Sequence, residues 1–304
     1  MDVFQTLYRH SGSVYALAYE EKRHILSSGS VDRRVFLFKM DSRQVFKVVK
    51  MHRNAIMALT FSPDGSMLAS ASYDHCIKIL RVDTGLLYRK FEVHSIVHDV
   101  AFSPDGNDIA GASGDYVRIW NVHPAKIMMT VEGHDGWVKA VRYLYNGKNI
   151  VTVCSDGYIR LFDLESNTEI LSNRATGGAI NAMDISEANH IIVTGSYDGT
   201  IQTWDLDSFR LLRTFLGHKK QINSVKISAD HGVIASGSED KTIRLWDLMD
   251  GRELEMERDR VGVVNAIQFI NDDTIICGSI DNNVYLWQPV TLMRPKNTIT
   301  GYRQ

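Results

Sequence analysis

The sequence predicts an all-β domain built from seven copies of one unit, and three observations carry that expectation. The unit is set by the stretch from Gly217 to Leu248: a Gly-His pair, an apolar alternation through Ile222, Val225 and Ile227, a polar turn, then IASGSEDKTIRLWDL. Aligning the rest of the chain on His218 gives His10, His52, His94, His134, Thr176, His218 and Arg260, separated by 42, 42, 40, 42, 42 and 42 residues. Segments such as MALTF and IKILRV alternate apolar and polar residues, the period of a half-buried antiparallel strand rather than of a helix. Because the repeat runs through the midpoint where a linker would sit, the 304 residues read as one closed domain.

A repeat period of about 40 to 45 residues with GH and WD pairs marks a four-stranded propeller blade. The pairs Gly133-His134, Gly217-His218, Trp204-Asp205 and Trp246-Asp247, with the SPDG turns at 62–65 and 103–106, stand at that spacing. On these motifs the chain resembles the WD40-repeat (WD-repeat) family over nearly its whole length. The resemblance implies a seven-bladed WD40 β-propeller over residues 1–288, with blades from about 10, 52, 94, 134, 176, 218 and 260.

Taken in order, residues 2–7 precede the first unit without strand partners of their own, and VFQTLYRH matches RLLRTFLGH at 210–218, where a final strand runs into the next His. The seventh unit ends at Trp287 after three strands, so residues 2–7 are expected to close the ring as the outer strand of blade 7. Closure removes an unpaired strand edge at each end of the array. Blade 1 places its first three strands at about 13–40 and a fourth around Val45 to Val49. Blade 2 runs from His52 to Phe91, with SPDG as a type I-like hairpin turn. Blade 3 is two residues short, which predicts a distorted top loop. Blade 4 carries Cys154 and Phe162 where Ser and Trp are expected. Blade 5 has Thr176 and blade 7 Arg260 at the His position, and blade 7 a short first hairpin, INDDT. Residues 289–304 form a basic tail with Arg294, Lys296 and Arg303, expected to be disordered or packed along an outer edge.

Composition sets further bounds. A net charge of −2 provides no global field for nucleic acid or an anionic membrane. No apolar run approaches a spanning helix and the N-terminus lacks a signal-peptide pattern, so an intracellular protein, cytoplasmic or nuclear, is expected. Cys76, Cys154 and Cys277 fall inside strands, without zinc spacing, and read as buried thiols.

The set His218, Ser238 and Asp240 invites a hydrolase reading, but a nucleophile needs one activated Ser and an oxyanion hole. The same set recurs at His52, Ser72 and Asp74 and at His10, Ser30 and Asp32, which is the behaviour of a structural element. The family resemblance implies a hydrogen-bonded His, Ser or Thr, Asp and Trp network inside each blade, and a carboxylate held by imidazole and hydroxyl donors makes physical sense of it. Blade 6 holds all four members with Trp246. Partial sets are His134 with Asp156, Ser196 with Asp198 and Trp204, and Ser279 with Asp281 and Trp287. The seven turn Asp residues need only local backbone donors, and neither a metal, a cofactor nor a phosphate-binding loop is expected.

The resemblance also implies that partners bind the top face, where two positions per blade line the channel entrance. The first set is Tyr15, Met57, His98, Lys139, Asn181, Asn223 and Asn265, and the second is Val31, Tyr73, Gly114, Ser155, Tyr197, Glu239 and Ile280. Trp137, farther out, is either an interface anchor of the kind that dominates hot spots or a ring packed on the neighbouring blade. Tyr15, Met57, Tyr73, His98, Trp137, Lys139, Tyr197 and Glu239 are the partner-binding candidates. Tyr73 and Tyr197 can equally lie over their own strands, and Lys139 and Glu239 can be solvated charges. The expected function is a non-enzymatic scaffold that binds peptides or domains of other proteins in a multiprotein complex. A permanent subunit of a cytoskeletal, ciliary or RNA-processing assembly is the alternative, and a propeller enzyme the third class.

Overall fold

Blade 6 shows how the repeat folds in the computed structural model, which describes residues 3–175, 178–228, 232–270 and 273–292. Its strands, lettered outward from the ring axis, are a (Ile222–Ser228), b (Val233–Ser238), c (Ile243–Asp247) and d (Glu253–Glu257). Strand b, VIASGS, is buried at every residue, because both faces of a blade pack on neighbouring blades. Small residues on strand b permit the close approach. A Cβ at Gly195 would stand 2.5 Å from Ile222 Cγ2 of the next blade, and one at Gly278 2.6 Å from Val14 Cγ1.

The described residues form seven four-stranded antiparallel sheets. Each innermost strand touches the next around the ring, and Val264–Ile270 of blade 7 touches Val14–Glu20 of blade 1. The apolar clusters are shared between blades in the same way. One joins Ile191, Val193 and Phe215 of blade 5 to Ile222, Val225 and Trp246 of blade 6. Another joins Ile276, Val284 and Leu286 of blade 7 to Val14, Leu26 and Phe38 of blade 1. The ring is thus a circle of interfaces, with no blade holding a core of its own.

The fourth strand of blade 7 is Val3–Arg9, antiparallel to Asn283–Gln288 from Val3↔Gln288 to Arg9↔Asn283, which is the closure expected of residues 2–7. Both SPDG turns place glycine in the left-handed region, Gly65 at φ +69° and Gly106 at φ +74°, with Gly65 N–H donating to the Ser62 carbonyl at 2.8 Å.

Blade 3 deviates where its length predicts. Its b–c hairpin pairs Ser113 with Tyr116 across a two-residue turn led by Gly114 at φ +60°, and His94 is exposed. The tail does not leave the fold at 288. Thr291 donates from its N–H and hydroxyl to Glu255 on strand d of blade 6 at 2.9 and 2.7 Å, and Leu292 is buried against the outer core of blades 6 and 7. Arg294, Lys296 and Arg303, the position Thr176, and part of the short hairpin of blade 7 lie outside the described residues. No helix of the described residues is long and apolar enough to cross a membrane.

Candidate partner-binding face

Two kinds of loop meet at one end of the sheets, the d-to-a connections between blades and the b–c hairpins within them. A repeated network holds them in place. In blade 6, His218 Nδ1 meets Asp240 Oδ2 at 2.9 Å and its Nε2 meets Ser236 Oγ at 2.7 Å, and Trp246 Nε1 donates to the same hydroxyl at 2.8 Å. Blades 1 and 2 repeat the first two links through His10, Asp32 and Ser28, and His52, Asp74 and Ser70.

The hydroxyl that bonds the imidazole therefore lies two residues earlier than expected, at Ser28, Ser70 and Ser236 rather than Ser30, Ser72 and Ser238. Residues two apart on a strand share a face, so the sequence offered two serines without choosing between them. The later serines do a different job. Ser238 donates to the Gln221 carbonyl at 2.9 Å and accepts from Asp240 N–H, and Ser30 does the same with Gly12 at 2.7 Å and Asp32. Ser279 holds the Val263 carbonyl at 3.0 Å. Ser196 is buried, and the hydroxyl receiving the Trp204 indole in blade 5 is Thr194, at 3.0 Å. The Asp198 carboxylate is taken by Thr200 of its own turn.

Three blades rebuild the network with unexpected partners. In blade 4, Arg160 NH2 takes Asp156 at 2.7 Å, leaving His134 with Thr152 at 2.9 Å and an Nδ1 that makes no hydrogen bond. Burial, and after it the Arg160 guanidinium, pushes His134 down to about 4. In blade 7, the Tyr285 hydroxyl donates to Asp281 at 2.8 Å, while Arg260 turns to Glu257 and Trp287 is buried in the core beside Cys277. In blade 1, Tyr8 from the closing strand donates to Ser28 at 3.1 Å and stacks on Phe38.

A pH dependence follows from these buried rings. His134 and His98 are both held near 4, below the unfolded value of about 6.5. The unfolded chain then binds more protons between those values. The stability they contribute is complete above about pH 6.5 and is lost as pH falls toward 4, on the order of 3 kcal/mol for His134. Urea midpoints of wild type should fall steeply between about pH 7 and pH 4.5, and those of His134→Gln less steeply. Parallel curves would contradict the assignment.

On this scaffold every strand a carries a bulge at its second residue. The register skips one residue in each blade: Tyr15, Met57, His98, Lys139, Asn181, Asn223 and Asn265. A bulge re-aims the side chain of its extra residue, and all seven line a central channel of about 690 Å³. The first predicted set is thus one ring, and the bulge is why it points inward. Of the second set only Tyr73 and Tyr197 reach the lining. Glu239 is half-buried away from it, its N–H bonded to the Gln221 carbonyl at 3.0 Å.

The ring is chemically uneven. Asn223 and Asn265 donate to the Val264 and Val14 carbonyls at 3.0 and 3.1 Å and stitch blades together. Blades 2 to 4 carry an aromatic corner instead, with the His98 ring 6.2 Å from Tyr73 and 5.4 Å from Trp137. Trp137 is 52% exposed, with Lys139 Nζ 5.1 Å from its centre. Trp137 thus leans on His98 of the neighbouring blade and keeps half its surface open. Burial, then Lys139, pushes His98 down to about 4, and burial holds Lys139 below the usual lysine value. Tyr197, 64% exposed, stands at the rim on blade 5.

Deeper in the channel lie charges that periodicity conceals, because inward positions of strand a read as core. Asp99 pairs with Arg142 and accepts Val141 N–H, and Asp184 accepts Lys226 Nζ and Ile227 N–H, each at 3.0 Å. These pairs bridge adjacent blades.

Comparison with known families agrees with this geometry. The family model described as WD domain, G-beta repeat matches residues 125–163, 168–205, 209–247 and 258–288. The one described as the anaphase-promoting complex subunit 4 WD40 domain matches residues 17–105. No curated protein matches the chain. With seven four-stranded blades, the repeated His–Asp–hydroxyl network and these matches, the chain belongs to the WD40-repeat family.

Proposed function

We propose that this propeller is a scaffold subunit of a multiprotein assembly that receives a segment of a partner protein at the top mouth of its channel. WD40 propellers generally mediate protein–protein interaction and are typically not enzymes. The observation that carries the reading is the ring of bulged residues, which gathers Tyr15, Met57, His98 and Lys139 at one mouth beside Trp137 and Tyr73. Trp and Tyr dominate interface energetics, and a rigid ring limits the ordering cost of binding. Partner loss on Trp137→Ala, Tyr73→Ala is expected in quantitative pull-downs from native extract, at melting behaviour close to wild type. An unchanged protein set would move the interface to the blade edges or the opposite face.

A second reading, permanent incorporation into one large particle, has support in the match of residues 17–105 to the WD40 domain of an anaphase-promoting complex subunit. Complete co-migration with a single particle, at constant ratio, would favour it over exchangeable binding. An intracellular location accords with either reading.

A further inference from the structure

Lys139 is a half-buried ammonium 5.1 Å from the centre of the Trp137 ring, which in turn lies 5.4 Å from the His98 imidazole. Burial is the main effect on it, and no carboxylate opposes that effect. His98 is neutral at neutral pH and leaves Lys139 as the only charge of its corner. Carboxylates do line the channel, but Asp99 is bound by Arg142, while Glu20 and Glu21 lie at the opposite end, where Glu20 accepts the Lys22 and Arg23 N–H groups. The exposed acids of the top loops, Asp115, Glu132, Asp135, Asp198 and Asp259, and the half-buried Glu239 are not part of the lining, and the remaining turn aspartates are held in the blade networks. A cation taken out of water without a counter-charge costs free energy that an incoming anion recovers.

The rim of the mouth carries both signs, with Asp115, Glu132, Asp135 and Asp198 exposed on the loops of blades 3 to 5 and cations on blades 2 and 6. Arg53, Lys219, Lys220 and Lys241 are exposed on top-face loops, and among the described residues they form no ion pair through their side chains. What favours an anion here is therefore the Lys139 ammonium at the channel mouth and not the charge of the rim.

We propose that the Lys139, His98 and Trp137 corner is a carboxylate-binding subsite, and that the segment the propeller receives there is an acidic peptide. This rests on the top mouth being the partner site and names the chemistry of what enters it. An Asp or Glu side chain takes the Lys139 ammonium as a charge-assisted pair, with the Asn181 amide at the next ring position. The peptide's neighbouring apolar group covers the open face of Trp137.

The test pans short random peptides displayed on phage against full-length wild type, Lys139→Met, Lys139→Arg and the Tyr73→Ala, Trp137→Ala variant. All four proteins are first matched by melting curve. Wild type and Lys139→Arg are expected to enrich Asp and Glu at one position, and Lys139→Met to lose that enrichment. For a peptide recovered on wild type, affinity should fall roughly ten- to a hundredfold in Lys139→Met, the loss of one charge-assisted bond. Enrichment without acidic residues, acidic enrichment unchanged in Lys139→Met, or no enrichment at all would each overturn the proposal. So would binding of a phosphoserine peptide with no affinity for its glutamate counterpart. Non-acidic peptides lost only in the Tyr73→Ala, Trp137→Ala variant would leave the top-mouth reading standing while the carboxylate subsite fell.

Discussion

Deleting residues 2–8 is expected to destabilise the entire ring and not its first strand alone. The segment supplies the fourth strand of blade 7, and what it touches belongs to two blades. Phe4 lies 5.1 Å from Tyr285, and Tyr8 stacks on Phe38 of blade 1 at 5.0 Å while donating to Ser28. Removing it bares the edge of Asn283–Gln288 and opens the cluster shared by blades 7 and 1. An open array exposes pairing groups and apolar surface together. Against a typical total stability of about 5–15 kcal/mol, the loss should be roughly 5 kcal/mol or more. Thermal unfolding should move down by about 10 °C or lose its cooperativity. Melting within a degree or two of wild type would show that the ring is closed by something else.

The second large effect separates two aspartates that occupy equivalent turns. Asp240 accepts from His218 Nδ1, from Lys219 N–H at 3.0 Å and from Thr242 N–H at 3.0 Å. Burial pushes this carboxyl up, but the His218 and Thr242 hydrogen bonds outweigh it and hold it well below its usual range. Asp240→Ala leaves those donors without an acceptor beside a buried imidazole. At about 1–3 kcal/mol for an unsatisfied buried group, with partial relaxation, the expected loss is about 3 kcal/mol. Asp198 is exposed and bonded by Thr200 of its own turn, so Asp198→Ala should cost less than about 1 kcal/mol. Urea denaturation of the two variants checks the contrast. Equal losses would mean that the network does not distinguish the blades.

The fold was legible because the unit recurs in phase, and the repeated Gly-His and Trp-Asp pairs fix where each blade begins. Closure by the first strand was legible too, since VFQTLYR matches the outer strand of other units and pairs as that match requires. The network was legible only to within two residues: Ser236 and Ser238 share a strand face, and hydrogen-bond geometry alone assigns the imidazole to Ser236. Its substitutes stayed hidden for a different reason. Arg160 and Tyr285 reach turn carboxylates from strand c, both four residues after the turn Asp, a repeat position whose side chain changes from blade to blade and so carries no motif.

At the mouth, the family spacing found all seven ring residues but not why they converge. The bulge that turns them inward is a property of pairing between strands, not of either strand alone. Sequence also could not tell the inter-blade amides of Asn223 and Asn265 from the open corner of Trp137 and Lys139. That division depends on which carbonyls the neighbouring blade presents.

The central claim is that partners enter at the top mouth, and site-specific photo-crosslinking in native extract tests it most directly. A benzophenone side chain is placed in turn at Trp137, at Met128 on the outer strand of blade 3, and at Tyr145 on the opposite face, all exposed positions. A discrete protein adduct from position 137, absent from 128 and 145, is the predicted result. Adducts confined to 128 or 145 would contradict it and place the partner on the outer edge or the opposite face.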